Sequence, residues 1–149
     1  MLKKILSIKD KLTKSCVDSK EVPRGNSKDP RHKLGIRGEE EALKFLKKSG
    51  YKIITRNHSC RFGEVDIIAT EGSVLAFIEV KARKNAKHSR PEEAVNARKI
   101  IRITKAAEDF LMKNPTYADY PARFDIVGLV ESGDGFEVSL LRSAFDAAN

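Results

Sequence analysis

Apolar residues fall into two kinds of pattern along this chain. Between Phe62 and Arg83 they form two blocks of strand character joined by a short turn at Glu71-Gly72. Upstream, Glu39, Ala42, Leu43 and Leu46 recur at i, i+3, i+4 and i+7, which predicts a helix over residues 38–49 with Gly50 as its stop. Glu39, Glu40 and Glu41 early and Lys44, Lys47 and Lys48 later match the helix dipole. A strand is expected at 51–57, then the pair at about 62–70 and 73–81. Ser89-Arg-Pro-Glu92 has the form of a capping box with an early proline, so a second helix is expected to start there. It should run to about residue 113, bury Val95, Ile100, Ile103, Ala107 and Phe110, and end at Asn114-Pro115. Strands at 123–130 and 136–141 flank the turn Ser132-Gly-Asp-Gly135. Helix, three strands, helix, two strands implies an α/β fold with a mixed central sheet flanked by helices.

The turn sets the chemistry. A two-residue turn at Glu71-Gly72 would put Thr70 opposite Ser73, Asp66 opposite Phe77 and Glu64 opposite Glu79. Side chains alternate between faces, so Glu64, Asp66, Glu79 and Lys81 would share one face. Carboxylates crowded on an apolar sheet repel each other, and a divalent cation removes the conflict. All-oxygen ligands point to Mg²⁺ or Mn²⁺. Such an ion can activate water and stabilise a phosphodiester under attack, with Lys81 holding the water or offsetting charge. The competing reading is a half-exposed hairpin with a Glu–Lys pair. Glu39 lies in line with its helix's apolar stripe, so it serves either a metal shell or the dipole; Glu40 should pair with Lys44 at i+4. Lys99 lies on the buried line of the second helix and either reaches a phosphate or snorkels out. Asn57, Arg83, Lys84 and Arg102 are candidate phosphate contacts, and 83–90 reads as a basic loop. Asp125 alternates with Arg123 as a structural ion pair.

Charge sharpens the division of the chain. Residues 1–33 hold ten Lys/Arg against four Asp/Glu, while the remainder is close to neutral at +2. This basic tail suits polyanions or an anionic surface, or is simply a solvated extension. Residues 2–14 have helical spacing and 15–33 read as a disordered linker, leaving 34–149 as the folded domain. Cys16 and Cys60 make neither a disulfide framework nor a zinc motif, and His32, His58 and His88 have no ligand spacing; both features suit a cytoplasmic protein without zinc. No run reaches the roughly 20 apolar residues of a membrane span. No Walker loop, GxGxxG or Ser/His/Asp arrangement is present.

Gly38-Glu39, Gly50-Tyr51, Arg56-Asn57, Gly63-Glu-Val-Asp-Ile-Ile68, Phe77-Ile-Glu-Val-Lys-Ala-Arg83, Glu93-Ala-Val95, Lys99 and Arg123-Phe-Asp125 together resemble the YraN family of small bacterial proteins, over about residues 34–145. The resemblance implies a restriction-endonuclease-like fold, similar to PD-(D/E)xK nucleases and Holliday-junction resolvases. It implies Asp66, Glu79 and Lys81 as the catalytic core, Glu39 as the helix acid and Lys99 as an auxiliary residue. The expected activity is a metal-dependent endonuclease on DNA, with branched or single-stranded DNA among the candidates. The alternative is a non-catalytic nucleic-acid-binding module acting in repair, recombination or uptake. Cutting two strands symmetrically suits two copies of one site, so a homodimer is the assembly to test.

Overall fold

The computed structural model describes residues 28–87 and 95–149. The expected helix at 2–14, most of the linker, Cys16, His88, the tip of the basic loop and the Ser89–Glu92 capping box lie outside the described residues. Helix α1 spans Pro30–Lys48, and strands β1 (Tyr51–Cys60), β2 (Gly63–Glu71) and β3 (Val74–Arg83) follow. Helix α2 is Ala97–Lys113, a 3₁₀ turn covers Pro115–Tyr117, and β4 (Ala122–Ser132) and β5 (Gly135–Phe145) complete the chain. The element order matches the sequence pattern.

The strands form one five-stranded sheet in the order β1-β2-β3-β4-β5. Neighbours are antiparallel except β3 and β4, which are parallel and joined through α2. Each helix covers one face. Ala42, Leu43 and Leu46 of α1 pack on Ile67, Ala69, Ala76, Ile78, Val127 and Leu129. Ile103, Ala106, Ala107 and Phe110 of α2 pack on Val65, Ile68, Leu75, Phe77, Phe124 and Ile126. Ile103, Ala107 and Phe110 are buried as the helical spacing requires, and Val95, just before the helix, is buried as well.

Both helix starts differ from expectation. α1 begins eight residues earlier than residue 38, inside the stretch read as linker. Asp29 caps it by accepting the Arg31 N–H at 2.8 Å, and Pro30 sits at the first helical position. The three glutamates therefore lie in mid-helix, where the dipole has little hold on them. α2 begins at Ala97 because Asn96 caps it, accepting the Lys99 N–H at 3.0 Å; Val95 precedes the helix. Its end at Asn114-Pro115 is as expected.

The β2–β3 turn also differs. Glu71 pairs with Val74 and Ile68 with Phe77, so the turn residues are Gly72 and Ser73. Gly72 has φ +58°, which glycine adopts without strain. The register is displaced by two residues from the expected one. An even displacement leaves every β3 side chain on its predicted face.

Candidate metal and phosphate site

Backbone pairing between β2 and β3 ends at Ile67 with Ile78. Beyond it, the Asp66 carboxylate takes the place of a backbone acceptor: the Val80 N–H donates to its Oδ2 at 2.8 Å. Strict alternation would put Val65 with Ile67 and Ala69 on the α1 side. Val65 instead packs on the α2 side with Ile68. The alternation of β2 therefore breaks at Asp66, where the two strands part. Glu64 is exposed, and its charge reaches Glu39 of α1.

Glu79 stands in the fork. It is 3% exposed, which for a carboxylate demands partners. Lys81 Nζ and Lys99 Nζ each lie 3.2 Å from its Oε1. Lys81 arrives along β3 from two residues on. Lys99 arrives from the first turn of α2 and makes the inward of its two predicted choices. The other oxygen, Oε2, is buried with no hydrogen-bond partner. Two cations thus converge on one oxygen of Glu79 while the second has none.

Asp66 feels the consequence. Burial pushes its pKa well above the usual carboxylate range, and the charges of Glu79 and Glu39 push the same way; the Val80 N–H opposes them. Glu39 is also raised, mainly by burial and further by Glu64, against a hydrogen bond from Asn57 and the charge of Arg56. α1 brings Glu39 here because Gly38 lies against β3. A Cβ on Gly38 would fall 2.6 Å from the Ala82 Cβ, so only glycine permits this approach.

The predicted metal trio is not assembled as expected. Among the described residues, no three of His, Cys, Asp and Glu are grouped so that they could hold a metal ion. Asp66 and Glu79 form the close pair. Glu39 has its own partners: Arg56 Nη2 lies 3.7 Å away, and Asn57 donates to it. Asn57, expected on phosphate, is thereby engaged with an acid. Arg56 also binds Glu40 at 2.8 Å, and Lys44 pairs with Glu41 at 2.9 Å rather than with Glu40.

The pair itself fits a hard divalent cation. Its donors are carboxylate oxygens, one of them buried and unpartnered, and burial together with their mutual repulsion already lifts the pKa of Asp66. Of the predicted phosphate contacts, Arg83 is partly buried at the end of β3, while Lys84 and Arg102 are exposed. Arg102 sits on α2 where its backbone meets Gly63 of β2.

Two further charged clusters went unforeseen in their extent. Arg123 Nε meets Asp125 at 2.9 Å as predicted. The same cluster includes the Tyr51 hydroxyl, Glu71, Arg142 and the Ser143 N–H, all distant in sequence. His58 Nε2 lies 2.9 Å from the buried Asp109, which Lys113 also meets at 3.0 Å. Only the Asp109–Lys113 spacing of i, i+4 was visible beforehand. Among the described residues, no helix is long and apolar enough to cross a membrane.

The family model described as "Uncharacterised protein family UPF0102" matches residues 38–129. A UPF0102 protein of Lachnoclostridium phytofermentans is 42% identical over 113 residues, covering 76% of this chain and 92% of that protein. One from Desulfosudis oleivorans is 44% identical over 117 residues, covering 78% and 93%. A third, from Syntrophus aciditrophicus, is 38% identical over 116 residues, covering 78% and 91%.

Proposed function

The chain belongs to the UPF0102 family, also called the YraN family, and for this member we propose a metal-dependent endonuclease that hydrolyses phosphodiester bonds in DNA. One observation carries the reading: a buried Glu79 oxygen without a partner, beside Asp66 whose charge is disfavoured, with two lysines on the other Glu79 oxygen. A structural ion pair would not leave that oxygen bare. Asp66 and Glu79 would hold Mg²⁺ or Mn²⁺. The bound ion would supply Lewis-acid stabilisation and a more acidic water.

The protein's own groups do the rest. The Val80 N–H orients Asp66 through Oδ2. Lys99 compensates the Glu79 charge from α2. Lys81, bridging Glu79 Oε1 and the partly open side of the fork, orients a water or offsets charge on the phosphate as it is attacked. Glu39 adds negative field from α1, held in place by Arg56 and Asn57. The restriction-endonuclease-like expectation agrees with this helix, hairpin and helix arrangement.

Incubation with supercoiled, single-stranded and four-way-junction DNA in Mg²⁺, Mn²⁺ or EDTA tests the assignment. Asp66→Ala should abolish cleavage, and Lys81→Ala should slow it by about 10²-fold or more. Cleavage that survives both substitutions overturns the assignment. A second reading is a nucleic-acid-binding module without catalysis. The capture of Glu39 by Arg56 and Asn57, which leaves two acids rather than three, favours it. Binding without cleavage in every metal would select it.

A further inference from the structure

A large aromatic is exposed at the same end of the sheet as the acid pair. Phe62 is 52% exposed and lies in the two-residue turn between β1 and β2, where Cys60 pairs with Gly63. Such turns favour Gly, Asn and Asp, and a phenylalanine half in water gains little from packing there. The turn is nevertheless firmly fixed. The Phe62 N–H donates to Cys60 Sγ at 3.4 Å. Gly63 presses so closely on α2 that a Cβ would fall 2.1 Å from the Arg102 carbonyl oxygen. The ring is therefore carried on a rigid tip seated on α2.

Its surroundings are cationic. The Arg61 guanidinium lies 5.0 Å from the ring centroid. Arg102 is exposed beside the seat of the turn, and β3, antiparallel to β2, ends at the same side with Lys84 exposed just beyond it. An outward aromatic beside the Arg61 guanidinium, with the exposed Arg102 next to the seat of its turn, suits an unpaired nucleobase, whose face stacks on the ring while the cations neutralise its phosphates. A fully paired duplex has no free base face to offer.

We propose that Phe62 is a stacking platform for an unpaired base, flanked by Arg61 and Arg102, and that the DNA bound has a boundary between duplex and single strand. The proposal deepens the nucleic-acid reading of the acid pair and rests on it for the ligand class, though not on cleavage. Phe62 and Asp66 are four residues apart along extended chain, at most about 13 Å. A DNA strand covers that distance in about four nucleotides at roughly 3.4 Å each. A base on Phe62 would thus present to Asp66 a phosphodiester within about four nucleotides of the boundary.

The test uses the full chain in EDTA, so that binding is read without cleavage. The probes are a forked DNA with 2-aminopurine at the first unpaired position and a blunt duplex of the same sequence. Wild type should bind the fork about tenfold more tightly than the duplex and quench the 2-aminopurine. Phe62→Ala, with an unchanged thermal melt, should lose the quench and the preference; Phe62→Trp should keep both. Equal affinity for fork and duplex, no DNA binding, or a preference that survives Phe62→Ala would overturn the proposal. Fork binding that depends on Phe62, with no cleavage in any metal, would support the platform while sinking the nuclease assignment.

Discussion

Two charged clusters lie in the same sheet and behave oppositely. On the α1 face, towards the start of β3, Asp125 is fully buried and receives Arg123 Nε, the Tyr51 hydroxyl and the Ser143 N–H. Glu71 beside it is bound by Arg123 and Arg142, whose guanidinium groups hold its pKa down to about 2. Arg123 and Arg142 also lie over the Tyr51 ring, at 5.9 and 5.8 Å. In the fork between β2 and β3, Asp66 is pushed up and Glu79 Oε2 has no partner. Both clusters mix acids and cations. One saturates its acids with donors, and the other sends two lysines to a single oxygen and leaves two carboxylates in conflict. Saturation is what a structural network needs. Conflict that a cation can relieve is what a binding site needs.

The largest effect should come from breaking the saturated cluster. Asp125→Ala leaves Arg123, the Tyr51 hydroxyl and the Ser143 N–H facing a hole, and should cost about 3–5 kcal/mol in denaturant unfolding. A loss no larger than that of an ordinary surface substitution would erase the contrast. Next, Mg²⁺ or Mn²⁺ should stabilise the wild type by about 2.7 kcal/mol at a hundredfold excess over its dissociation constant. The shift should vanish in Asp66→Asn and persist in Asp125→Asn if that variant still folds. Equal metal stabilisation in Asp66→Asn would remove the pair as the binding site.

The two acids should also respond to pH with opposite signs. The folded pKa of Asp66 is raised, so its ionisation lowers stability above the unfolded value of about 3.8, increasingly up to the folded value. Asp66→Asn keeps an acceptor for the Val80 N–H, so without metal it should raise the melting temperature at pH 7. That gain should shrink as the pH falls towards 4. Glu71 is depressed, so its contribution is complete above the unfolded value of 4.5 and is lost as pH falls through about 2. Glu71→Gln should therefore be destabilising at pH 7 and nearly neutral near pH 2. The effect should be the smallest of the set, about 1 kcal/mol or less, because solvent screens this partly exposed group. Parallel pH profiles for the two variants would contradict the comparison.

Much of this site was legible beforehand because of parity. The turn lies at Gly72-Ser73 rather than Glu71-Gly72, yet the two-residue displacement kept Glu79 and Lys81 with Phe77 on the α2 side. The helical line through Val95, Ile103 and Phe110 likewise put Lys99 on the buried side, where it meets Glu79. Glu39 was placed correctly by its stripe, although the dipole explanation for it fails now that α1 is known to start at Pro30. Strict alternation failed at Val65, which packs on the α2 side with Ile68, because β2 and β3 are no longer paired on that side of Ile67 and Asp66 spends its carboxylate on the Val80 N–H. Helix starts failed where one capping residue outweighed a longer pattern: Asp29 for α1 and Asn96 for α2.

By itself, then, the sequence determined the element order, the face of each β3 side chain and the residue types gathered near the fork. Backbone geometry sets those periods of 2 and 3.6 locally, so they can be read from spacing. Tertiary structure alone decided how the charges balance. Arg56 and Asn57 claim Glu39, Lys81 and Lys99 share one oxygen of Glu79, and Arg142 reaches Glu71 from 71 residues away. Charge balance depends on burial and on neighbours remote in the chain, and no local period encodes either.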